Sequence, residues 1–257
     1  MLPGIKLFDL TGNAAIVTGG SKGLGRVMAA GLASAGADVM LVSRHADEAK
    51  AAAAEIARDF GKRAVGFPAD VTNPAEVEAT AAEALRHFGR IDVLINSAGL
   101  NIRGPIDELT PEQFQQVMNA NVTGTWLACR AVAPHMKRAG RGRMINLASA
   151  LGLIGFAHRT PYASSKGAVV QMTRALAVEL APHNVLVNAI CPGPFQTEMN
   201  VVTPGAVDFM KPIVDATALK RFARPEEIQG AAIFLASPAS SYITGSMLVV
   251  DGGWTAQ

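Results

Sequence analysis

The sequence predicts one α/β domain over residues 1–257, a doubly wound parallel sheet of about seven strands with helices on both faces. Three observations point there. The apolar runs are short and continuous rather than alternating, as in strands buried on both faces. Longer amphipathic segments separate them, the order that packs as right-handed strand–helix–strand crossovers. No low-complexity linker, charge block or solenoid repeat divides the 257 residues, a length that α/β folds reach as one unit.

The elements follow in order. The first strand is AAIVT (14–18), and a glycine-rich turn leads from it into a helical pattern. DVMLVS (38–43) and AVGFP (64–68) are the second and third strands. Asn73-Pro74-Ala75-Glu76 then opens a helix with a capping residue, proline at the first helical position and an acid at the third. IDVLIN (91–96) is the fourth strand, and Thr110-Pro111-Glu112-Gln113 starts a long helix over about 112–138 in the same style. RMINLAS (143–149) is the fifth strand, and Thr160-Pro161 opens a helix to about 181. VLVNAIC (185–191) and MLVV (247–250) complete the sheet, with a helix begun by Arg224-Pro225-Glu226 between them. Residues 192–222 break the rhythm with prolines 192, 194 and 204. A stretch of this length beyond the carboxyl end of a strand is expected to be a substrate lid.

Composition excludes several functions. The chain is 49% hydrophobic and 17% charged, with a net charge of +2, too small to argue for nucleic acid or an anionic membrane. No apolar run reaches the ~18 residues of a membrane span. The start, MLPGIKLFDLTGN, lacks a signal-peptide core, so the expectation is a soluble, cytoplasmic protein. Cys129 and Cys191 have neither CxxC spacing nor polar surroundings, and the histidines lack ligand spacing, so no disulfide and no metal are assigned.

The first strand ends in Thr18-Gly19-Gly20-Ser21-Lys22-Gly23-Leu24-Gly25. Glycines permit the tight turn and let backbone N–H groups approach a diphosphate at the helix N-terminus, where the dipole favours negative charge. The spacing is TGxxxGxG rather than GxGxxG, and it resembles the short-chain dehydrogenase/reductase family of single-domain, Rossmann-type oxidoreductases. The resemblance runs the whole chain. Asn96-Ser97-Ala98-Gly99 is similar to the family's NNAG motif beside the cofactor, with Ser97 replacing its second Asn. Asp70-Val71 matches the position that meets the adenine ring, and Asn121 the helix residue that holds a proton-relay water. Pro192-Gly193 matches the turn against the nicotinamide, and Thr197 the hydroxyl that reaches its carboxamide.

Tyr162 and Lys166 form Tyr-x-x-x-Lys on a helix, with Ser149 at the end of the preceding strand. Such a pair shares one helical face, with Cβ atoms roughly 5–6 Å apart. Hydride transfer to a ketone leaves an alkoxide that needs a proton from an acid within hydrogen-bond reach. Tyrosine titrates near 10, and moving it ~3 units towards neutrality takes about 4 kcal/mol of differential interaction. A nearby cation supplies part of that, so Lys166 is expected to lower the Tyr162 pKa. The resemblance also implies that Lys166 bonds the nicotinamide ribose. Ser149 would steady the substrate oxygen. The catalytic set is therefore Asn121, Ser149, Tyr162 and Lys166.

The second strand ends in Ser43-Arg44, where NAD enzymes carry an acid against the ribose 2′-hydroxyl. A guanidinium and a hydroxyl suit a 2′-phosphate instead, and Lys22 adds a second cation. The expected cofactor is NADP(H), held by Gly19, Ser21, Lys22, Gly23, Leu24, Gly25, Ser43, Arg44, Asp70, Val71, Asn96, Ala98, Gly99, Tyr162, Lys166, Pro192, Gly193 and Thr197.

The substrate is expected to be a small-molecule ketone or secondary alcohol, met by Ser149, Leu151, His158, Tyr162 and Phe195, with Ala150, Leu153, Asn101, Ile102 and Met199 nearby. Arg103 and Arg159 could pair with an anionic substrate but read as solvated loop charges. The pattern is similar both to 3-oxoacyl-carrier-protein reductases and to gluconate 5-dehydrogenase-like enzymes. Neither the basic patch of the first nor the polar pocket of the second is evident. A non-catalytic NADP-binding regulator of the same fold is the alternative, although Ser149, Tyr162 and Lys166 are all present. Trp126, Leu127, Val169 and Met172 read as surplus apolar surface on two long helices. The resemblance implies that these pair across a two-fold axis in a homotetramer, with segment 246–254 in a second interface.

Overall fold

The computed structural model describes residues 4–198 and 206–256, with side chains described for 4–198 and 211–256. Seven strands form one parallel sheet: β1 (Ala14–Thr18), β2 (Asp38–Ser43), β3 (Ala64–Pro68), β4 (Val93–Asn96), β5 (Gly142–Leu147), β6 (Val185–Pro192) and β7 (Met247–Val250). Their order across the sheet is β3-β2-β1-β4-β5-β6-β7. The predicted strands all form, the fourth, fifth and sixth with ends shifted by up to two residues.

Alternate residues of each inner strand serve opposite faces. Ala15 and Val17 of β1 join Val39, Leu41, Val93 and Ile95 in one core, beneath α1 (Gly23–Ser34), α2 (Ala46–Phe60) and the late helix α8 (Gln229–Ala236). Ala14 and Ile16 join Met40, Leu94, Met144 and Val187 in the other, beneath α3 (Pro74–Phe88), α5 (Gly124–Ala139) and α6 (Thr160–Leu180). Both faces are covered by helices, so the strand positions are mostly apolar, with Thr18, Asn96, Asn146 and Asn188 as buried polar exceptions.

The helix starts form as their residues dictate. Asn73 Oδ1 accepts from the Ala75 amide at 3.0 Å. Thr110 and Gln113 make a reciprocal capping box at the start of α4 (Pro111–Met118). The long helix predicted over 112–138 is interrupted. Between α4 and α5, residues Asn119–Thr123 form a π turn, and Thr125 Oγ1 donates to the Asn121 carbonyl at 2.7 Å. Helix α7 (Ala206–Ala216) lies within the predicted lid, and its Ile213 is buried against Leu151 and Trp254. No helix among the described residues is long and apolar enough to cross a membrane.

Candidate active site

The order of the sheet reverses between β1 and β4, and the crevice of an open α/β sheet lies outside the carboxyl ends at that point. A cleft of about 870 Å³ occupies this position, running from Ser43 and Arg44 past Ser149 and Tyr162 to Trp254. Its first wall is the glycine turn. Gly19 has φ +64°, and a Cβ there would stand 2.8 Å from the Ala98 backbone; one at Gly25 would stand 2.2 Å from the Gly19 carbonyl oxygen. Only glycine permits that approach. Lys22 precedes α1 without a side-chain cap, so the first amides of the helix have no partner from a capping side chain. Thr18 Oγ1 accepts from the Ser97 and Ala98 amides at 3.2 and 3.3 Å, tying this wall to the end of β4. These features fit a dinucleotide diphosphate at the amide cluster.

The adenosine end is lined by Ser43, Arg44, Asp70 and Val71, as expected, and also by His45, Glu48 and Thr72. Asp70 accepts from the Thr72 amide and hydroxyl, each at 2.8 Å. Those bonds hold its carboxyl below the ordinary range, burial opposing and Arg44 contributing least.

Two elements meet at the reacting end. Ser149 stands two residues beyond the end of β5, and its Oγ accepts from the Leu151 amide at 3.1 Å. Tyr162 and Ser149 line the cleft together, and the Ser149 side chain favours the phenolate. One turn further along α6, Lys166 Nζ lies 5.6 Å from the Tyr162 ring centroid and donates to the Leu147 carbonyl at 2.6 Å. Burial dominates both groups. It raises the Tyr162 phenol above its ordinary value, opposed by the Ser149 side chain and then by the charges of Arg159 and Arg103. It lowers the Lys166 ammonium to about 8, opposed by Cys191. The cations that draw Tyr162 down are thus two arginines, where the sequence pointed to Lys166.

Asn121 and Asn96 stand behind the cleft wall rather than in it. The Asn121 carboxamide accepts from the Leu100 amide at 2.8 Å and donates to the Leu100 carbonyl at 3.0 Å and to Ser165 Oγ at 2.9 Å. Ser165 donates in turn to the Tyr162 carbonyl at 2.7 Å, so the chain of bonds reaches the first turn of α6. Asn96 donates to Asn146 Oδ1 at 2.9 Å, and Asn146 to Thr173 Oγ1 at 3.0 Å, joining β4, β5 and α6 below the site.

The glycine-loop residues, Ala98, Gly99, Pro192, Gly193, Thr197, Leu151 and Phe195 all line the cleft where the sequence put them. His158 does not. Its backbone is left-handed, φ 60°, its carbonyl accepts from the Gly104 amide and the Arg159 guanidinium, and its side chain is exposed. Ala150, Leu153 and Ile102 also lie off the cleft, and Met199 is outside the described residues. The turn at His158 sends Arg159 inward instead. Arg159 is 2% exposed, not solvated, and shares the cleft wall with Arg103, Asn101 and Glu198. The polar pocket lining that could not be seen in the sequence is therefore present. Trp254, edge-on to Phe156 at 5.9 Å, closes the far end; no local pattern marks it.

Residues 19–255 match the family model described as "Enoyl-(Acyl carrier protein) reductase". The chain is 38% identical over 247 residues to 5-keto-D-gluconate 5-reductase of Escherichia coli, covering 96% of this chain and 97% of that one. A short-chain type dehydrogenase/reductase from Mycobacterium marinum superposes with a TM-score of 0.93 at 38% identity, covering 99% and 100% of the two chains. A gluconate 5-dehydrogenase from Burkholderia cenocepacia, solved in complex with NADP and tartrate, superposes with a TM-score of 0.93 at 34% identity, again over 99% and 100%.

Proposed function

The chain belongs to the short-chain dehydrogenase/reductase family, and on that premise we propose that it interconverts a ketone and a secondary alcohol with NADP(H), on a substrate that carries a carboxylate. One observation carries the substrate class. Arg159 lies buried in the cleft wall at the N-terminus of α6, beside Tyr162 and within the field of Arg103. Burial and then the like charge of Arg103 lower its pKa to about 10. The helix dipole opposes a cation at that end as well. A bound carboxylate relieves all three. Two relatives bear names built on gluconate, and one was solved with tartrate, a dicarboxylate.

When bound, NADP(H) supplies the hydride. The glycine loop Gly19–Gly25 would take the diphosphate, Asp70 and Val71 the adenine, and Ser43, Arg44 and Lys22 the 2′-phosphate. Pro192, Gly193 and Thr197 would hold the nicotinamide, with Ala98 and Gly99 along the floor and Asn96 steadying it from behind. Ser149 and Tyr162 hold the substrate oxygen; in reduction Tyr162 gives it a proton, and in oxidation takes one back. Lys166 would turn from the Leu147 carbonyl to the ribose and resupply the Tyr162 proton, drawing it from bulk solvent through a relay anchored at Asn121. Leu151, Phe195 and Trp254 would exclude water, and the described parts of the lid, residues 192–198 and 206–222, would cover the substrate; residues 199–205 of that segment lie outside the described residues.

A panel of keto and hydroxy acids with matched neutral ketones and alcohols, read at the NADPH absorbance band, tests this reading. Turnover confined to the neutral members overturns the carboxylate, and none at all on any member favours a non-catalytic role. For the cofactor, Arg44→Asp removes a charged hydrogen bond that contributes roughly 1.5–3 kcal/mol and sets a carboxylate against the phosphate. The kcat/KM for NADPH should fall more than tenfold while that for NADH holds or rises. A ratio unmoved by the change would make Arg44 an ordinary surface cation.

We also infer a homotetramer. Leu127 and Val169 are buried within the protomer, but Trp126 is 47% exposed, stacked by Arg130 at 5.9 Å, and Phe114 and Val178 stay exposed on the same pair of helices. Trp254 turns inward, which leaves Val249 for a second contact. Light scattering at micromolar concentration should give four chains, and a stable monomer excludes the assembly.

A further inference from the structure

The adenosine end of the cleft carries an acid that the mechanism does not use. Glu48 stands in the first turn of α2, one turn beyond Arg44, and lines the cleft together with Ser21, Lys22, Ser43 and Arg44. Its Oε2 lies 3.4 Å from Lys22 Nζ and accepts from Ser21 Oγ at 3.3 Å. The glycine-loop cation and hydroxyl that would face a 2′-phosphate are thus already engaged by a carboxylate. Both side chains of the ion pair are about half exposed, at 58% and 43%, so the pair is held weakly and can be exchanged.

We propose that Glu48 is a specificity-determining residue that opposes the 2′-phosphate and narrows the enzyme's preference for NADP(H) over NAD(H). The chemistry runs in two directions from one atom. A phosphate monoester close to Lys22 brings negative charge against Glu48, so its attraction to Lys22 and Arg44 is partly cancelled. A ribose 2′-hydroxyl can instead donate to the same carboxylate, the contact that NAD enzymes make with an acid at the end of the second strand. Here the acid comes from the next helix, four residues after Arg44, and reaches the glycine loop from the side. The cations and Glu48 therefore pull the choice of cofactor in opposite senses.

The inference rests on the assignment of NADP(H), and its test separates the two. The full-length protein and its Glu48→Gln variant are titrated by calorimetry with 2′,5′-ADP and with 5′-AMP, ligands that differ at the 2′ position and need no turnover. Glu48→Gln should tighten 2′,5′-ADP about tenfold, some 1.4 kcal/mol, while 5′-AMP holds or weakens. The gain should shrink as salt is raised, because exposed charges are screened. Glu48→Ala, which also removes the charge, should tighten 2′,5′-ADP in the same sense and repeats the test if the amide disturbs the loop. A change of threefold or less for 2′,5′-ADP, in a parent that binds both ligands, overturns the role of Glu48 alone. A parent and variant that bind 5′-AMP but not 2′,5′-ADP overturn the NADP(H) assignment together with it.

Discussion

Tyr162→Phe is expected to reduce kcat by ~10²–10⁴-fold, the share usually carried by general acid–base catalysis, with cofactor affinity within a few-fold of the parent. The substitution keeps the ring and removes the hydroxyl that carries the proton. The pH profile adds a check. Because burial raises the Tyr162 pKa, with Ser149, Arg159 and Arg103 opposing it, the phenol is protonated at neutral pH and ready to act as the acid of reduction. Oxidation needs the phenolate, so its rate should climb as the pH rises, and that climb should vanish in the variant. Stopped-flow turnover within a few-fold of the parent would mean that another group supplies the proton.

The second large effect is expected at Arg159. Arg159→Met keeps most of the apolar stem and removes the guanidinium. With a keto acid as substrate, kcat/KM should fall by about a hundredfold, the upper end of a hydrogen bond to a charged group. With the corresponding neutral keto amide it should change by only a few-fold. Equal losses on acid and amide would assign Arg159 to the shape of the pocket rather than to substrate charge.

Much of this architecture is legible because its causes are local. Ala14–Thr18 and Asp38–Ser43 read as strands since both faces are covered, and Thr110 with Gln113 marks a helix start by side chains that cap it. The Tyr162–Lys166 spacing and the glycine turn are likewise short-range patterns. What escaped depends on distant parts of the chain. Arg159 looks like a loop charge until the left-handed turn at His158 directs it inward, and nothing in GFAHRT signals that turn. Trp254 and Glu48 reach the cleft only after the chain has folded back. Leu127 and Val169 seemed surplus because helical periodicity does not tell a sheet-facing stripe from an interface.

The π turn at 119–123 has a further consequence, one of phase. A π turn holds one residue more than an α turn, so every position after it is rotated by about 100° relative to an unbroken helix. Ahead of the turn, Gln115 and Gln116 face the cleft, as does Asn119 at its start; behind it, Leu127, Val132 and Met136 pack in the core on the sheet. The surplus residue is what lets one rod present two unrelated faces. Deleting any single residue between 119 and 123 would heal the helix and turn one of those faces away. Comparison of distant homologues across this rod must therefore keep the extra residue in place, and a gap placed there would misassign every side chain on one side of it.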